Sequence, residues 1–138
     1  MKLVLDASMA LAWIFERNNS KEAASANRVL SALSDSETIV PMLWHTEITN
    51  ALLVAERRKM ITEAQVLDYL NRLTDLPIVT DSLMIATRRD LILALAREYN
   101  LTTYDATYLD LALRSNAILA TFDNPLAAAM QKAGGEIF

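Results

Sequence analysis

Short apolar runs alternate with longer helical patterns along this chain, and no other feature of the sequence restricts the fold as strongly. Residues 2–5, 38–41, 78–80 and 117–121 read as strands, and the C-terminal sequence GGEIF offers a fifth. The segments between them have helical periodicity and lack two-residue hairpin turns. Strands that are separated by helices predict a parallel sheet with helices on both faces. The sequence therefore predicts an α/β fold.

Polar residues that can cap helices mark where most of these helices begin. Ser8 is placed to cap a helix that runs to about Glu16. Thr62 and Gln65 have the spacing of a capping box, which predicts a helix to about residue 73. The other helices are predicted at residues 21–33 and 43–59, from Asp81 or Ser82 to Tyr99, from Thr102 or Thr103 onward, and in a short segment capped by Asp123.

The composition excludes several kinds of functional site. The chain has no cysteine, which removes disulfides, thiolate nucleophiles and thiolate metal sites and fits a reducing compartment such as the cytoplasm. His45 is the only histidine, so a zinc site of the usual nitrogen and sulfur type lacks ligands. The only glycines, Gly134 and Gly135, are too few for a phosphate-binding loop of the Walker or Rossmann type. Any metal would have to be held mainly by oxygen atoms.

Size and charge set further limits. The 138 residues are most simply one domain over residues 1–138, large enough to form a core without a metal or a disulfide. No apolar stretch approaches the length of a membrane span, so no membrane association is expected. The net charge of −4 has the wrong sign for binding nucleic acid through the whole surface. Local basic clusters at residues 57–59 and 88–89 could contact phosphates, although solvated helix ends or faces are their first interpretation.

Among the 17 acidic residues, four do not look like ordinary surface charges. Asp6 and Asp123 each follow an apolar strand, in LVLD and ILATFD, at the edge of a parallel sheet where ligands bind. Glu47 shares a helical face with Leu43 and Ala51, so a carboxylate interrupts a mostly apolar stripe. Simpler explanations remain open: a helix cap for Asp6 and Asp123, and a buried ion pair or a solvent-facing stripe for Glu47.

The sequence YDATYLDLAL supplies the fourth acid, Asp105, at the start of a helix. Asp105 shares a face with Tyr108 and Leu109, the face that is expected to pack inward, and helix capping does not explain that direction. Asp110 lies five residues further on and is rotated by about 140° from Asp105. We therefore expect Asp110 on the polar side of the helix, without a catalytic role.

These four acids can meet at one edge of an α/β sheet, although they are far apart in the sequence. Carboxylates brought together repel one another and raise one another's pKa unless a cation neutralises them. Mg²⁺ or Mn²⁺ suits an all-oxygen site and commonly links protein carboxylates to substrate phosphates. Ser8, Asn50 and Thr121 lie two or three residues from three of the acids and could orient them. A cap or a strand-end hydrogen bond is the commoner role of such residues.

The sequence resembles the PIN-domain family, and specifically the VapC-type toxins of toxin-antitoxin pairs. The matching segments are VLDAS with Asp6 and Ser8, VPMLWHTEITNAL with Glu47 and Asn50, YDATYLDLA with Asp105, and ATFDNPLA with Thr121 and Asp123. They occur in the family's order and span nearly the whole chain. Each segment alone is weakly specific, whereas the ordered set is fairly specific.

The resemblance implies an α/β/α sandwich around a parallel sheet of about five strands in the order 3-2-1-4-5. It implies an endoribonuclease in which Asp6, Glu47, Asp105 and Asp123 are catalytic and bind Mg²⁺ or Mn²⁺, and in which hydrolysis leaves a 5′-phosphate and a 3′-hydroxyl. It also implies a homodimer and a cognate antitoxin whose basic side chain enters the acidic pocket. Because the chain is acidic, RNA binding is expected to depend on a basic strip beside that pocket.

Two other functions compete with this interpretation. A receiver-like signalling domain also has a parallel sheet with an acidic Mg²⁺ site, but it needs paired acids after the first strand and a lysine after the last strands. Here Asp6 is followed by Ala7 and Ser8, and the first lysine after Thr121 is Lys132. A PIN fold that has lost its activity and serves as a binding module is the other alternative. His45 is interpreted as a residue of a helix start, and Tyr104 and Tyr108 as aromatic residues of the core or its rim, although Tyr104, next to Asp105, could contact a substrate.

Overall fold

The computed structural model describes residues 1–15 and 17–138. Its four strands are β1 Lys2–Leu5, β2 Glu37–Val40, β3 Ile78–Thr80 and β4 Ile118–Ala120. They form one parallel sheet in the order β3-β2-β1-β4. This confirms the α/β fold and the predicted order of its first four strands. Because every connection between these strands is a crossover, the carboxyl ends of all four lie at the same edge of the sheet.

In the residues that the structure describes, seven α-helices connect and cover the strands. They are α1 Ala7–Leu11, α2 Ser20–Ala32, α3 Met42–Arg57, α4 Glu63–Thr74, α5 Arg89–Tyr99, α6 Thr103–Arg114 and α7 Asn124–Lys132. In β1, Leu3, Val4 and Leu5 are fully buried, as expected for a central strand that has helices on both faces. No helix among these is both long and apolar enough to cross a bilayer.

The predicted fifth strand is wrong. Residues 134–138 contribute only an isolated parallel bridge between Ile137 and Leu119 of β4. The backbone N–H of Leu119 donates to Glu136, and that of Phe138 donates to Leu119, at 3.0 Å each. The glycines at the start of this segment form the turn after α7, where Gly134 has a φ of 86°. These glycines therefore belong to the turn and add no residue to the ladder.

The starts of two helices also differ from prediction. Ser8 lies inside α1, whose N-cap is Asp6, and its hydroxyl donates to the Asp6 carboxylate instead of capping the backbone of this helix. This helix ends at Leu11, and the predicted end at Glu16 lies outside the described residues. The helix expected from Asp81 or Ser82 begins only at Arg89, because Asp81 forms an ion pair with Arg114 instead of capping.

Three predicted caps are confirmed. Thr62 and Gln65 form the reciprocal capping box at the start of α4. Thr102 accepts a hydrogen bond from the backbone of Asp105, and Asp123 accepts one from the backbone of Leu126. These local contacts fix where α6 and α7 begin, and therefore where the acids at their starts lie.

Candidate active site at the carboxyl edge of the sheet

Asp6 follows β1 directly and is the most deeply buried acid at this edge, with 5% of its surface exposed. Its Oδ2 accepts hydrogen bonds from the hydroxyls of Ser8 at 2.7 Å and Thr121 at 2.6 Å. The Ser8 hydroxyl oxygen in turn accepts the backbone N–H of Phe122 at 3.0 Å. Burial raises the pKa of Asp6, the two hydroxyls oppose this, and the Asp123 charge adds to it. The Ser8 and Thr121 hydroxyls thus hold this carboxylate in one orientation.

Asp123 joins the same network from the end of β4. Its backbone N–H donates to the Thr121 hydroxyl at 2.9 Å, and its Oδ1 accepts the backbone N–H of Leu126 at 2.9 Å. The cap therefore uses one oxygen of this half-buried carboxylate. The predicted alternative of a helix cap is correct for Asp123, and it is compatible with a functional role of the second oxygen.

Glu47 lies on α3 and is held by Tyr108 of α6, whose hydroxyl donates to Oε1 at 2.6 Å. Burial raises the pKa of Glu47, the Tyr108 hydrogen bond opposes the rise, and the charges of Asp6 and Asp105 add to it. Tyr108 is fully buried, and burial raises its pKa, so it remains a donor. Sequence reasoning missed this role of Tyr108. The available signal was that Tyr108 shares the inner face of its helix with Asp105.

Asp105 is partly exposed in the first turn of α6. Burial, followed by the charges of Asp123 and Asp6, raises its pKa to about 6. A carboxyl group with this pKa exchanges its proton near neutral pH, as a general base or acid requires. Its position at a helix start does not offset the repulsion from the other acids.

The four predicted acids therefore lie within electrostatic range of one another at the carboxyl edge. The charge of Asp123 contributes to the raised pKa values of Asp6 and Asp105. The charges of Asp6 and Asp105 contribute to the raised pKa of Glu47. None of the salt bridges in the described residues involves any of these four carboxylates. An ion pair with an arginine, which was the alternative for Glu47, is thus not what the described part of the chain shows.

The donor set fits a hard divalent cation in its chemistry, because every candidate ligand is a carboxylate oxygen. It is not a closed ligand sphere: within residues 1–15 and 17–138, no three His, Cys, Asp or Glu side chains are arranged to hold a metal ion. Hydroxyls and a backbone N–H already occupy one oxygen each of Asp6, Glu47 and Asp123. A cation that keeps several of its waters, as Mg²⁺ does, can bind such a set partly through those waters.

Asn50, the third residue that we expected to orient the acids, has no such contact. It is exposed on α3, one turn after Glu47, and lines a surface depression together with Phe15, Val54 and Arg58. Its amide makes no hydrogen bond to an acid in the part of the chain that the structure describes. The predicted role of Asn50 therefore has no geometric support here.

Asp110 is not on a solvated face, so that prediction is wrong. It is 4% exposed and accepts hydrogen bonds from Arg88, at 2.5 Å and 3.1 Å, and from Arg114 at 3.4 Å. Arg114 also pairs with Asp81 after β3. We call Asp81, Arg88, Asp110 and Arg114 the ion-pair cluster. It commits Arg88 to a structural contact, which removes half of the basic pair at residues 88–89 as a free phosphate contact.

Comparisons with known proteins agree with this fold. A family model for the PIN domain matches residues 3–130. The structure of PAE2754 from Pyrobaculum aerophilum superposes with a TM-score of 0.67 at 25% identity, covering 94% of this chain and 79% of that one. The structure of FitAcB from Neisseria gonorrhoeae has a TM-score of 0.64 at 14% identity, covering 99% of this chain and 96% of that one.

None of the curated proteins is significantly similar to this sequence. The family model nevertheless covers nearly the whole chain, and the four acids and the strands that position them lie inside it. PIN domains are generally metal-dependent nucleases. On this evidence the chain belongs to the PIN-domain family.

Proposed function

We propose that this chain is an endoribonuclease that depends on Mg²⁺ or Mn²⁺, and that it is the VapC-type toxin of a toxin-antitoxin pair in the cytoplasm. The observation that carries the proposal is the set of four carboxylates at the carboxyl edge: repulsion within the set helps to raise the pKa of Asp6, Glu47 and Asp105, and none of the four forms a salt bridge within the described residues. Such repulsion is tolerated where a cation and a phosphate are to be bound.

Each acid has a distinct part in this proposal. Asp6 is fixed by two hydroxyls, and Glu47 is fixed by Tyr108, so both present oriented oxygens to a cation. Asp123 contributes the oxygen that does not cap α7. Asp105 is partly exposed and has a pKa of about 6, which suits it to accept a proton.

The proposed reaction is hydrolysis of an RNA phosphodiester. A water oxygen bonds to phosphorus, the bond from phosphorus to the 3′-oxygen breaks, Asp105 accepts the proton of the water, and the 3′-oxygen takes a proton from solvent. A bound divalent cation would supply positive charge opposite the phosphate oxygens and make the attacking water more acidic. The products are a 5′-phosphate and a 3′-hydroxyl.

Protein partners form the second half of the proposal: a homodimer and an antitoxin with a basic side chain. Exposed apolar side chains support the presence of partners, since Met84, Ile85, Leu93 and Tyr104 are 70%, 46%, 40% and 63% exposed. Ile85, Leu93 and Tyr104 line one groove together with Arg89. Contiguous exposed apolar patches often mark sites where another protein binds.

A direct test measures cleavage of single-stranded RNA by the purified chain with Mg²⁺, with Mn²⁺ and with EDTA. Metal-dependent products that carry 5′-phosphates are expected, and sequencing the product ends would define the cleaved site. Absence of cleavage in every metal condition, from a protein that is folded by circular dichroism, would leave the inactive binding module as the better interpretation. The chain is a PIN domain, so the receiver-like alternative is excluded.

Co-expression with the gene next to that of this chain tests the toxin assignment separately. A small partner with an exposed arginine or lysine should co-purify and inhibit cleavage. Inhibition should be lost when that basic residue is replaced by glutamine. Size-exclusion chromatography with light scattering on the free chain gives the mass that decides between monomer and dimer.

A further inference from the structure

One positively charged side chain lies beside the acidic set. The guanidinium carbon of Arg17 is 4.4 Å from the centre of the Phe122 ring. Phe122 stands between Thr121 and Asp123 in the chain, and its backbone N–H donates to the Ser8 hydroxyl that binds Asp6. The Arg17 guanidinium therefore contacts the side chain of Phe122, and the backbone of Phe122 takes part in the hydrogen-bond network around Asp6.

Two contacts hold this guanidinium in a defined orientation. The Phe122 ring supports one face, and Nε donates to Glu22 of the first turn of α2 at 2.9 Å. The Arg17 side chain is 34% exposed, and its two terminal nitrogens have no hydrogen-bond partner within residues 1–15 and 17–138. A guanidinium that is held through Nε and one face presents its outer edge to solvent, ready for two parallel hydrogen bonds.

Other arginines in the described part of the chain are differently placed. Arg88 and Arg114 are committed to Asp110 and Asp81, and Arg72 pairs with Asp68 along α4. Arg72, like Arg17, pairs through Nε, but it lies on the exposed surface of α4. Arg17 differs from these three arginines because its guanidinium also lies over the ring of Phe122, the residue between Thr121 and Asp123.

We propose that Arg17 binds a backbone phosphate of the RNA, adjacent to the phosphate that is hydrolysed. This inference rests on the proposed ribonuclease function. A chain with a net charge of −4 and an acidic site repels a polyanion, so a positioned cation is needed to bring the strand across that edge. Guanidinium groups bind phosphate oxygens in pairs, which fixes the position of the strand as well as attracting it.

The competing explanation is structural: Arg17 would only tie the segment after α1 to α2 and to Phe122. The two explanations differ in what Glu22 does. If the ion pair is the purpose, Arg17→Gln and Glu22→Gln should disturb the protein alike. If Arg17 binds phosphate, removing Glu22 leaves the cation in place and removes a negative charge, so that RNA binding is kept or strengthened.

The experiment compares Arg17→Gln, Arg17→Lys and Glu22→Gln with Arg28→Gln, which removes the same charge from an exposed position on α2. Steady-state cleavage of a labelled single-stranded RNA gives KM and kcat for each variant. Binding is measured by fluorescence anisotropy in an Asp105→Asn background, over a series of salt concentrations, so that the RNA is not cut. Melting temperatures check that every variant is folded.

Arg17→Gln is expected to raise KM about tenfold with little change in kcat, as for the loss of one charged hydrogen-bonded contact. The slope of log affinity against log salt should fall by about 0.7, the value for one phosphate contact on a single strand. Arg17→Lys should retain the salt slope and recover part of the affinity. Arg28→Gln and Glu22→Gln should not raise KM.

Two results would overturn the inference while leaving the proposed function standing. One is that the wild-type chain cleaves RNA, but Arg17→Gln and Arg28→Gln have the same KM and the same RNA affinity. The other is an equal loss of RNA affinity in Arg17→Gln and Glu22→Gln. If the wild-type chain itself neither binds nor cleaves RNA, the proposed function fails, and the role of Arg17 fails with it.

Discussion

This protein has two clusters of acidic residues, and they differ in whether basic side chains neutralise them. In the ion-pair cluster, Asp110 and Asp81 are matched by Arg88 and Arg114, so the negative charges are neutralised inside the fold. At the carboxyl edge, no carboxylate of the four forms a salt bridge within the described residues, and the pKa values of Asp6, Glu47 and Asp105 are raised. Arginine side chains neutralise the buried acids of the ion-pair cluster. The absence of such pairs among the described residues of the carboxyl edge indicates that this edge binds a positively charged ligand.

The largest expected difference between the two groups is in activity. Asp6→Asn should lower metal-dependent RNA cleavage by about a hundred- to a thousandfold, the scale of a group that stabilises transition-state charge. An asparagine oxygen can still accept the hydroxyls of Ser8 and Thr121, and a buried charge is removed, so the melting temperature should stay the same or rise. Cleavage assays and thermal melts in EDTA measure both. Wild-type activity in this variant would contradict the catalytic role of the edge.

In the ion-pair cluster, replacing an aspartate with asparagine should lower the free energy of unfolding. Asp110→Asn leaves Arg88 and Arg114 without their buried anion and should destabilise the fold by about 3 kcal/mol, near the lower end of the range for a broken buried pair. Urea denaturation measures the free energy of unfolding.

Asp68→Asn is the matched control for this prediction. The pair of Asp68 with Arg72 on α4 is largely exposed, with side chains 64% and 79% accessible, so its loss should change stability by less than ~0.5 kcal/mol. If Asp110→Asn and Asp68→Asn had equal effects, the ion-pair cluster would not be the structural element that its burial indicates.

The contrast between the two groups also explains what the sequence could predict. The acids of the edge follow strands or begin helices, and parallel strands place their carboxyl ends together, so local patterns were enough to bring them to one edge. Asp110 was misplaced because rotation from Asp105 does not say what covers the other side of α6. That helix is buried on several sides, with Ala106, Leu109 and Leu111 also inside, and the partner Arg88 is 22 residues away.

The same limit applies to Tyr108. Its partner Glu47 is 61 residues away, so no spacing rule connects them. Helical periodicity placed both residues on inner faces, but only the three-dimensional structure shows that their side chains meet in a hydrogen bond. The missing fifth strand has a different cause: GGEIF has strand-like composition at its end, whereas its glycines are needed for the turn.

Tyr108→Phe tests whether orientation of a carboxylate matters at the edge. The change keeps the buried ring and removes the donor to Glu47, so we expect kcat to fall about tenfold with the fold retained. Since the lost hydrogen bond lowers the pKa of Glu47, the acid limb of the pH-rate profile should move to higher pH. Tyr69→Phe is a suitable control, because Tyr69 is also buried but donates to the backbone of Ala10. A pH profile identical to that of the wild type would contradict the role of Tyr108.

The smallest expected effect is the pH dependence of stability at the edge. The pKa of Asp105 is raised from 3.8 to about 6 in the folded chain, so between these values the folded state binds more protons than the unfolded state. The contribution of Asp105 to the free energy of unfolding is therefore fully present below about pH 4, and it is lost as the pH rises through about 6. Asp105→Asn should remove that loss, which we expect to be about 1 kcal/mol after allowance for solvent screening of a half-exposed group.

This difference is measured as the melting temperature of Asp105→Asn minus that of the wild type, from pH 4 to pH 7, in EDTA. It should grow with pH by about 4 °C. The exposed residue Asp35, changed to Asn, serves as the control and should show no such trend. Mg²⁺ should raise the melting temperature of the wild type more at pH 7 than at pH 5, because the ionised carboxylates bind it, and the gain should be smaller in Asp105→Asn. If Mg²⁺ stabilised both proteins equally at both pH values, it would be binding elsewhere, and the repulsion at the edge would need another explanation.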